Sequence, residues 1–274
     1  MSTTTTSVVL AFALAIASPA VAKAPKAQNK RPVLIKPQLQ LQTWITPWDQ
    51  DQDPQADPAG YGDPEHDPGF LIKRFRTGFK GRFNRLDYSL LIGTSARYDV
   101  WEEASSGINI VDAYGRYTAE TPIGPLGFTL GLQRVPFSRE MLMSSKVLVF
   151  QERSVGTNWL NPLRDVGVVG GQTWVLPGES GSQLTLRAGV FNGNGDEFGD
   201  IDPGVLVVGR LEYTMGDTYR TWSTSGENAV GVAVSGMMNT EMATTTQAAN
   251  VDGMGRVGPV TLLFEGTFST IKPT

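Results

Sequence analysis

The feature that most restricts this chain is an alternation of apolar and polar residues with a period of two, renewed in segment after segment. Between Leu86 and Tyr98, the residues Leu86, Tyr88, Leu90 and Ile92 share one face of an extended strand. Asp87, Ser89, Gly93, Ser95 and Arg97 share the other, with Leu91 the apolar exception. Leu126, Phe128, Leu130 and Leu132 alternate with Gly127, Thr129 and Gly131. Leu184, Leu186, Ala188 and Val190 alternate with Gln183, Thr185, Arg187 and Gly189, and Val260, Leu262, Phe264 and Phe268 with Thr261, Glu265 and Thr267. Comparable segments lie at 39–45, 70–83, 108–120, 166–175, 205–214, 229–238 and 247–256, making about eleven strands in all. Most approach the ~9–11 residues with which a tilted strand crosses a bilayer. Beyond residue 22 no run reaches the ~20 apolar residues of a membrane-spanning helix. A chain of this kind enters lipid only as a barrel, because only helices and closed barrels satisfy every backbone group there.

A soluble β-sandwich alternates too. Two details favour an antiparallel transmembrane β-barrel. The polar face consists of Gly, Ser, Thr, Gln and Arg, which suits a wet interior. The connections also alternate in length: Asn84-Arg85, 121–125 and 176–182 are short, whereas 48–69, 135–164 and 192–204 are long. Short turns on one side and long loops on the other are the habit of outer-membrane barrels. After Thr214 the rhythm blurs, since 215–228 is long where a short turn is due. Trp44, Trp48, Tyr98, Trp101, Trp174 and Tyr213 stand near strand ends, where interfacial aromatic girdles would place them.

The first 22 residues, MSTTTTSVVLAFALAIASPAVA, have the apolar core and the Ala20-Val21-Ala22 ending of a cleaved secretory leader, although no Lys or Arg precedes the core. Residues 23–33 then form a linker and 34–274 the barrel domain. The absence of cysteine is compatible with an oxidising compartment. A net charge of −4 gives no support to nucleic-acid binding.

Residues 131–171 read GLQRVPFSREMLMSSKVLVFQERSVGTNWLNPLRDVGVVGG and do not alternate cleanly. The pieces Gly131-Leu132-Gln133-Arg134-Val135-Pro136-Phe137-Ser138, Ser144-Ser145, Phe150-Gln151-Glu152-Arg153-Ser154 and Pro162-Leu163-Arg164-Asp165-Val166-Gly167 resemble, in order and spacing, the phosphate-selective porin O and P family. Gly78-Phe79-Lys80-Gly81, Asp87-Tyr88 and Val111-Asp112-Ala113-Tyr114 look similar as well, so the resemblance covers roughly residues 70–215. It implies a sixteen-stranded bacterial outer-membrane barrel, usually a homotrimer in outer-membrane lipid, whose third outer loop folds inward and constricts the lumen. Strand parity alone makes 135–164 the third outer connection. Loops of that length without structure of their own are mostly functional. With about eleven strands the chain is expected to be C-terminally incomplete or a smaller barrel, leaving the strand near Leu39 unpaired with the one near Leu262.

Charge adds a functional expectation. Phe75, Phe79 and Phe83 share one face of a strand whose other face carries Arg74, Arg76, Lys80 and Arg82. Arg97, Arg116, Arg187 and Arg210 fall on polar faces by the same test, and the long loop adds Arg139, Lys146, Arg153 and Arg164. Rings of Arg and Lys select anions in pores, and both residues bind phosphate oxygens. These twelve residues form the expected anion pathway, with phosphate or polyphosphate as candidate cargoes. Asp87, Asp112, Glu120 and Glu212 share the polar faces, so part of the Arg set is expected to be paired structurally.

The acidic, proline-rich stretch 49–67 and the segment 192–202 contain carboxylates but no calcium-loop order, so solvated loops are the simpler reading and no metal or cofactor is expected. The single histidine, His66, has no catalytic partner motif, and the chain is not read as an enzyme. The expectation is passive diffusion of small anions; the alternative is a structural or adhesive barrel with a plugged lumen.

Overall fold

The computed structural model describes residues 5–16, 35–46, 69–95, 108–148, 150, 152–177, 181–193, 195, 204–220 and 227–273. It is all-β and antiparallel. The strands are β1 (Thr5–Ile16), β2 (Lys36–Thr46), β3 (Gly69–Phe83), β4 (Leu86–Ser95), β5 (Asn109–Thr121), β6 (Gly124–Arg134), β7 (Arg164–Val175), β8 (Gln183–Phe191), β9 (Val205–Met215), β10 (Ala229–Thr240), β11 (Thr244–Val257) and β12 (Val260–Pro273). Two short helices, α1 (Arg139–Leu142) and α2 (Val155–Leu160), lie between β6 and β7. The alternating segments therefore became β2 to β12. The chain divides into two compact units, Arg31–Ala113 and Tyr114–Thr274 together with Met1–Lys30.

In the first unit β3 lies between β2 and β4. The apolar face of β2 exposes Leu39, Leu41 and Ile45. In β3, Phe70 and Ile72 are exposed, and so are Phe75, Phe79 and Phe83. The even-to-odd change of phase coincides with a register shift opposite Gln42 and Thr43, where Lys73 has no directly opposed residue. A β-bulge here keeps all five apolar side chains on one face. Lys73 stacks over the Trp44 ring at 4.5 Å. Trp44 thus belongs to the polar side of β2 and not to an aromatic girdle on the apolar side, because alternation sets its direction more strongly than its position near a strand end. Gly78 is required where β3 and β4 approach: a Cβ there would stand 2.1 Å from the Leu90 carbonyl oxygen.

In the second unit β6 to β12 pair consecutively, and β1 runs along the free side of β12. Both sides of β12 are thereby taken by β11 and β1, and neither by the strand near Leu39. Residues 8–16 of the stretch read as the apolar core of a leader lie in β1. Val230, Val232 and Val234 are exposed and Ala229, Ala233 and Ser235 buried on β10; Val260, Leu262, Phe264 and Phe268 are exposed and Thr261, Thr267 and Ser269 buried on β12. Trp174, Leu184 and Tyr213 form a cross-strand row on the apolar face, which fits a girdle. The rhythm of connections does reverse after β9: 216–228 is long, and β10 passes to β11 through only Glu241, Met242 and Ala243.

Candidate functional site

The segment 135–163 leaves the end of β6 and folds onto the polar face of the second unit. Val135 and Phe137 are fully buried against Val169, Phe191, Leu206, Val208 and Ala248 from β7, β8, β9 and β11. Burying a Phe side chain stabilises by roughly 1.5–3 kcal/mol, so this cluster fixes the start of the loop. Ser138 caps α1 by accepting from the Met141 amide. The α1 carbonyls of Met141 and Leu142, together with that of Met143, accept from the Arg134 guanidinium. Arg153 donates to the Glu140 and Met143 carbonyls, and the Glu140 carboxylate accepts from Ser154 and Thr157 at the start of α2. These internal bonds give the loop a fixed shape.

Its docking is polar. Asp252 on β11 and Glu265 on β12 are directly opposed in register, and like charges so placed repel. Adjacent loop residues answer them. Ser138 donates through Oγ to Glu265, and the Arg139 Nε donates to Asp252 at 2.7 Å. Glu265 also accepts from the Glu140 amide, from Asn161 at the far end of the loop and from Asn250. One carboxylate therefore ties down both ends of the loop.

Arg187 and Arg210 are another directly opposed like-charged pair. Glu212 answers both, at 3.3 Å from Arg187 and 3.6 Å from Arg210. Arg210 makes a two-point pair with Asp252, and Arg139 lies 2.9 Å from Glu212. Arg139, Arg210, Glu212 and Asp252 are each at most 2% exposed. Such charges persist in a protein interior only when paired.

The strip on β3 is arranged differently. Lys36 on β2 is directly opposed to Lys80, Gln40 to Arg76 and Gln42 to Arg74. Arg74 is buried and donates to Gln42 at 2.9 Å. Lys80 is exposed and opposite Ser89 on β4. Arg82 forks onto Asp87 at the surface.

The other residues of the expected pathway are scattered. Arg116 donates to Thr129 on β6 and lies 5.9 Å from the Tyr114 ring. Lys146 is exposed on the loop and Arg164 half-buried at the start of β7. Arg97 lies outside the described residues, as do the acidic stretch 49–67 and most of 192–202. Among the described residues there is no cluster of His, Cys, Asp or Glu suited to a metal.

The sequence placed Asp252, Glu265, Asn161, Tyr219 and Arg256 in no site. Alternation does assign Asp252 and Glu265 to polar faces, and the run Val205-Leu206-Val207-Val208, apolar on both faces, signals that something covers the inner one. What covers it depends on register, which period-two patterning does not carry.

The model of the phosphate-selective porin O and P family matches residues 48–252. The chain belongs to this family. As a porin of this family it is an outer-membrane protein. The protein is also similar to the outer membrane channel DcaP of Acinetobacter baumannii, at 10% identity over 98% of this chain and 97% of that one, with a TM-score of 0.20. None of the curated proteins compared with this porin matches it.

Proposed function

We propose that this porin conducts small anions passively, and that the basic strip of β2 and β3 is its selective surface. The observation that carries the reading is the direct opposition of Lys36 and Lys80 on the strip that also holds Arg74 and Arg76. Like charges at cross-strand distance repel, and an anion passing between them relieves that repulsion. Several weak basic positions in series let an ion enter and leave again. The partnering in the second unit narrows the anion pathway accordingly. Arg139 and Arg210 are engaged by carboxylates, and Arg153 by loop carbonyls; their role in this reading is to hold the constriction. Arg187 is shared with Glu212, whereas Lys80 and Lys146 are each exposed. Inorganic phosphate suits Arg forks and Lys point charges and is a candidate cargo beside chloride. A homotrimer and export by a leader cleaved after Ala22 complete the proposal; the mass of the membrane-inserted protein tests the cleavage, with Lys23 as the expected first residue.

A plugged, structural barrel is the second reading, favoured by the depth at which 135–163 docks among buried charges. Purified protein in planar bilayers separates the two. Stepwise insertion of conducting channels supports the porin. Correctly folded protein that inserts silently supports the plug.

A further inference from the structure

We propose that residues 216–220, which follow β9, are a second constriction element, and that Arg139 is the positioning residue that clasps them to the 135–163 loop. The inference rests on the porin reading for its effect on conductance but not for the clasp itself.

The two segments come from opposite ends of the strands. The loop 135–163 joins the end of β6 to the start of β7; three antiparallel strands later, 216–228 leaves the end of β9 at the other edge. A simple hairpin there would need a few residues. Instead the chain turns at Gly216, with φ 75, and folds back over the polar face. Thr218 is 2% exposed. Tyr219 donates to Glu212 at 2.6 Å, and the Thr218 carbonyl accepts from Arg139 at 3.2 Å. The Arg139 guanidinium lies 5.3 Å from the Tyr219 ring. One side chain of the first loop thus touches a carbonyl and an aromatic ring of the second connection while paired with β9 and β11.

Arg256 anchors the same connection from β11. Its guanidinium donates to the carbonyls of Asp217, Arg220 and Glu227. Gly231 on β10 leaves the space this requires: a Cβ there would stand 2.9 Å from Thr218 and 3.1 Å from Arg139. The buried threonine and the glycine opposite serve one arrangement, in which residues 216–220 and the 135–163 loop meet over β9 to β11.

The test exploits Arg220, which is exposed and whose carbonyl Arg256 holds. Trypsin can cut after Arg220 only when that carbonyl is released. Folded full-length protein, Arg139→Ala, Arg139→Lys and Gly231→Leu are compared for the rate of this cleavage and for single-channel conductance. Arg139→Ala and Gly231→Leu are expected to speed cleavage about tenfold, equivalent to ~1.4 kcal/mol of lost clamping, and to raise conductance; Arg139→Lys is expected to recover most of both. The glycine variant leaves every charge in place, so it remains informative where Arg139→Ala does not fold. Cleavage unchanged in both variants overturns the clasp, whatever the channels do. Faster cleavage when neither the parent nor the variants conduct upholds the clasp and removes the porin reading.

Discussion

Arg139 and Asp252 are separated by 113 residues of sequence and by 2.7 Å between guanidinium Nε and carboxylate Oδ1. Asp252 also receives Arg210, so one carboxylate on β11 neutralises a strand arginine and a loop arginine together. The loop is thereby built into the charge balance of the sheet: without it, Asp252 and Glu265 face each other with less compensation. Asp252→Asn leaves both guanidinium groups buried beside a neutral amide. Removing one partner of a buried pair costs about 3–5 kcal/mol. The variant is expected to lose its folded, fast-migrating electrophoretic form at a clearly lower temperature than the parent protein. An unchanged transition temperature would show that the network adds nothing to stability.

The strip on β3 predicts a change in selectivity without a change in fold. Triple substitution of Arg74, Arg76 and Lys80 by Glu places carboxylates beside Gln40 and Gln42 and should move the pore toward cations. The measurement is the zero-current potential in a salt gradient. A variant that keeps the parent's potential removes these residues from selectivity.

Loop 135–163 predicts a change in conductance. Deleting 144–152 spares Ser138, Arg139 and Asn161, which dock the loop, and the carbonyls of 141–143 that Arg134 holds. Single-channel conductance is expected to rise in a protein that still shows heat-modifiable migration. Equal or smaller conductance would mean that this stretch does not narrow the path.

Glycines separate close packing from open surface. Gly78→Val drives its side chain into the Leu90 carbonyl, so β3 and β4 must part; overpacking of this kind costs roughly 1–3 kcal/mol. At Gly209 and Gly236, paired on the apolar face, an added Cβ meets nothing within 4 Å. Alanine at either is expected to leave thermal stability unchanged. Equal losses at all three sites in a melting comparison would refute this account of their packing.

The strands after β1 were legible because a sheet with one apolar and one polar face repeats every second residue. The bulge at Lys73 was written in the same code, as the shift from Phe70 and Ile72 to Phe75 and Phe79. β1 overlaps the apolar stretch Val8–Ala17, which carries the signature of a leader. Parity found the long loop and its inward fold followed from resemblance, but its docking residues stayed hidden. Arg139 looked like any other loop cation, and its pairing with Asp252 and Glu212 depends on how far the loop descends along β9 and β11. The excess length of 216–228 was visible as a broken rhythm; the return of residues 216–220 over the polar face, held by Arg256, was not.

This porin is proposed to pass anions in preference to cations. The most direct measurement is the zero-current potential of the purified, unmodified protein in a planar bilayer with potassium chloride more concentrated on one side. The potential is expected to have the sign that reports greater permeability to chloride, and to grow smaller as phosphate is added and competes for the basic strip. A potential of the opposite sign, reporting greater permeability to potassium, would contradict it.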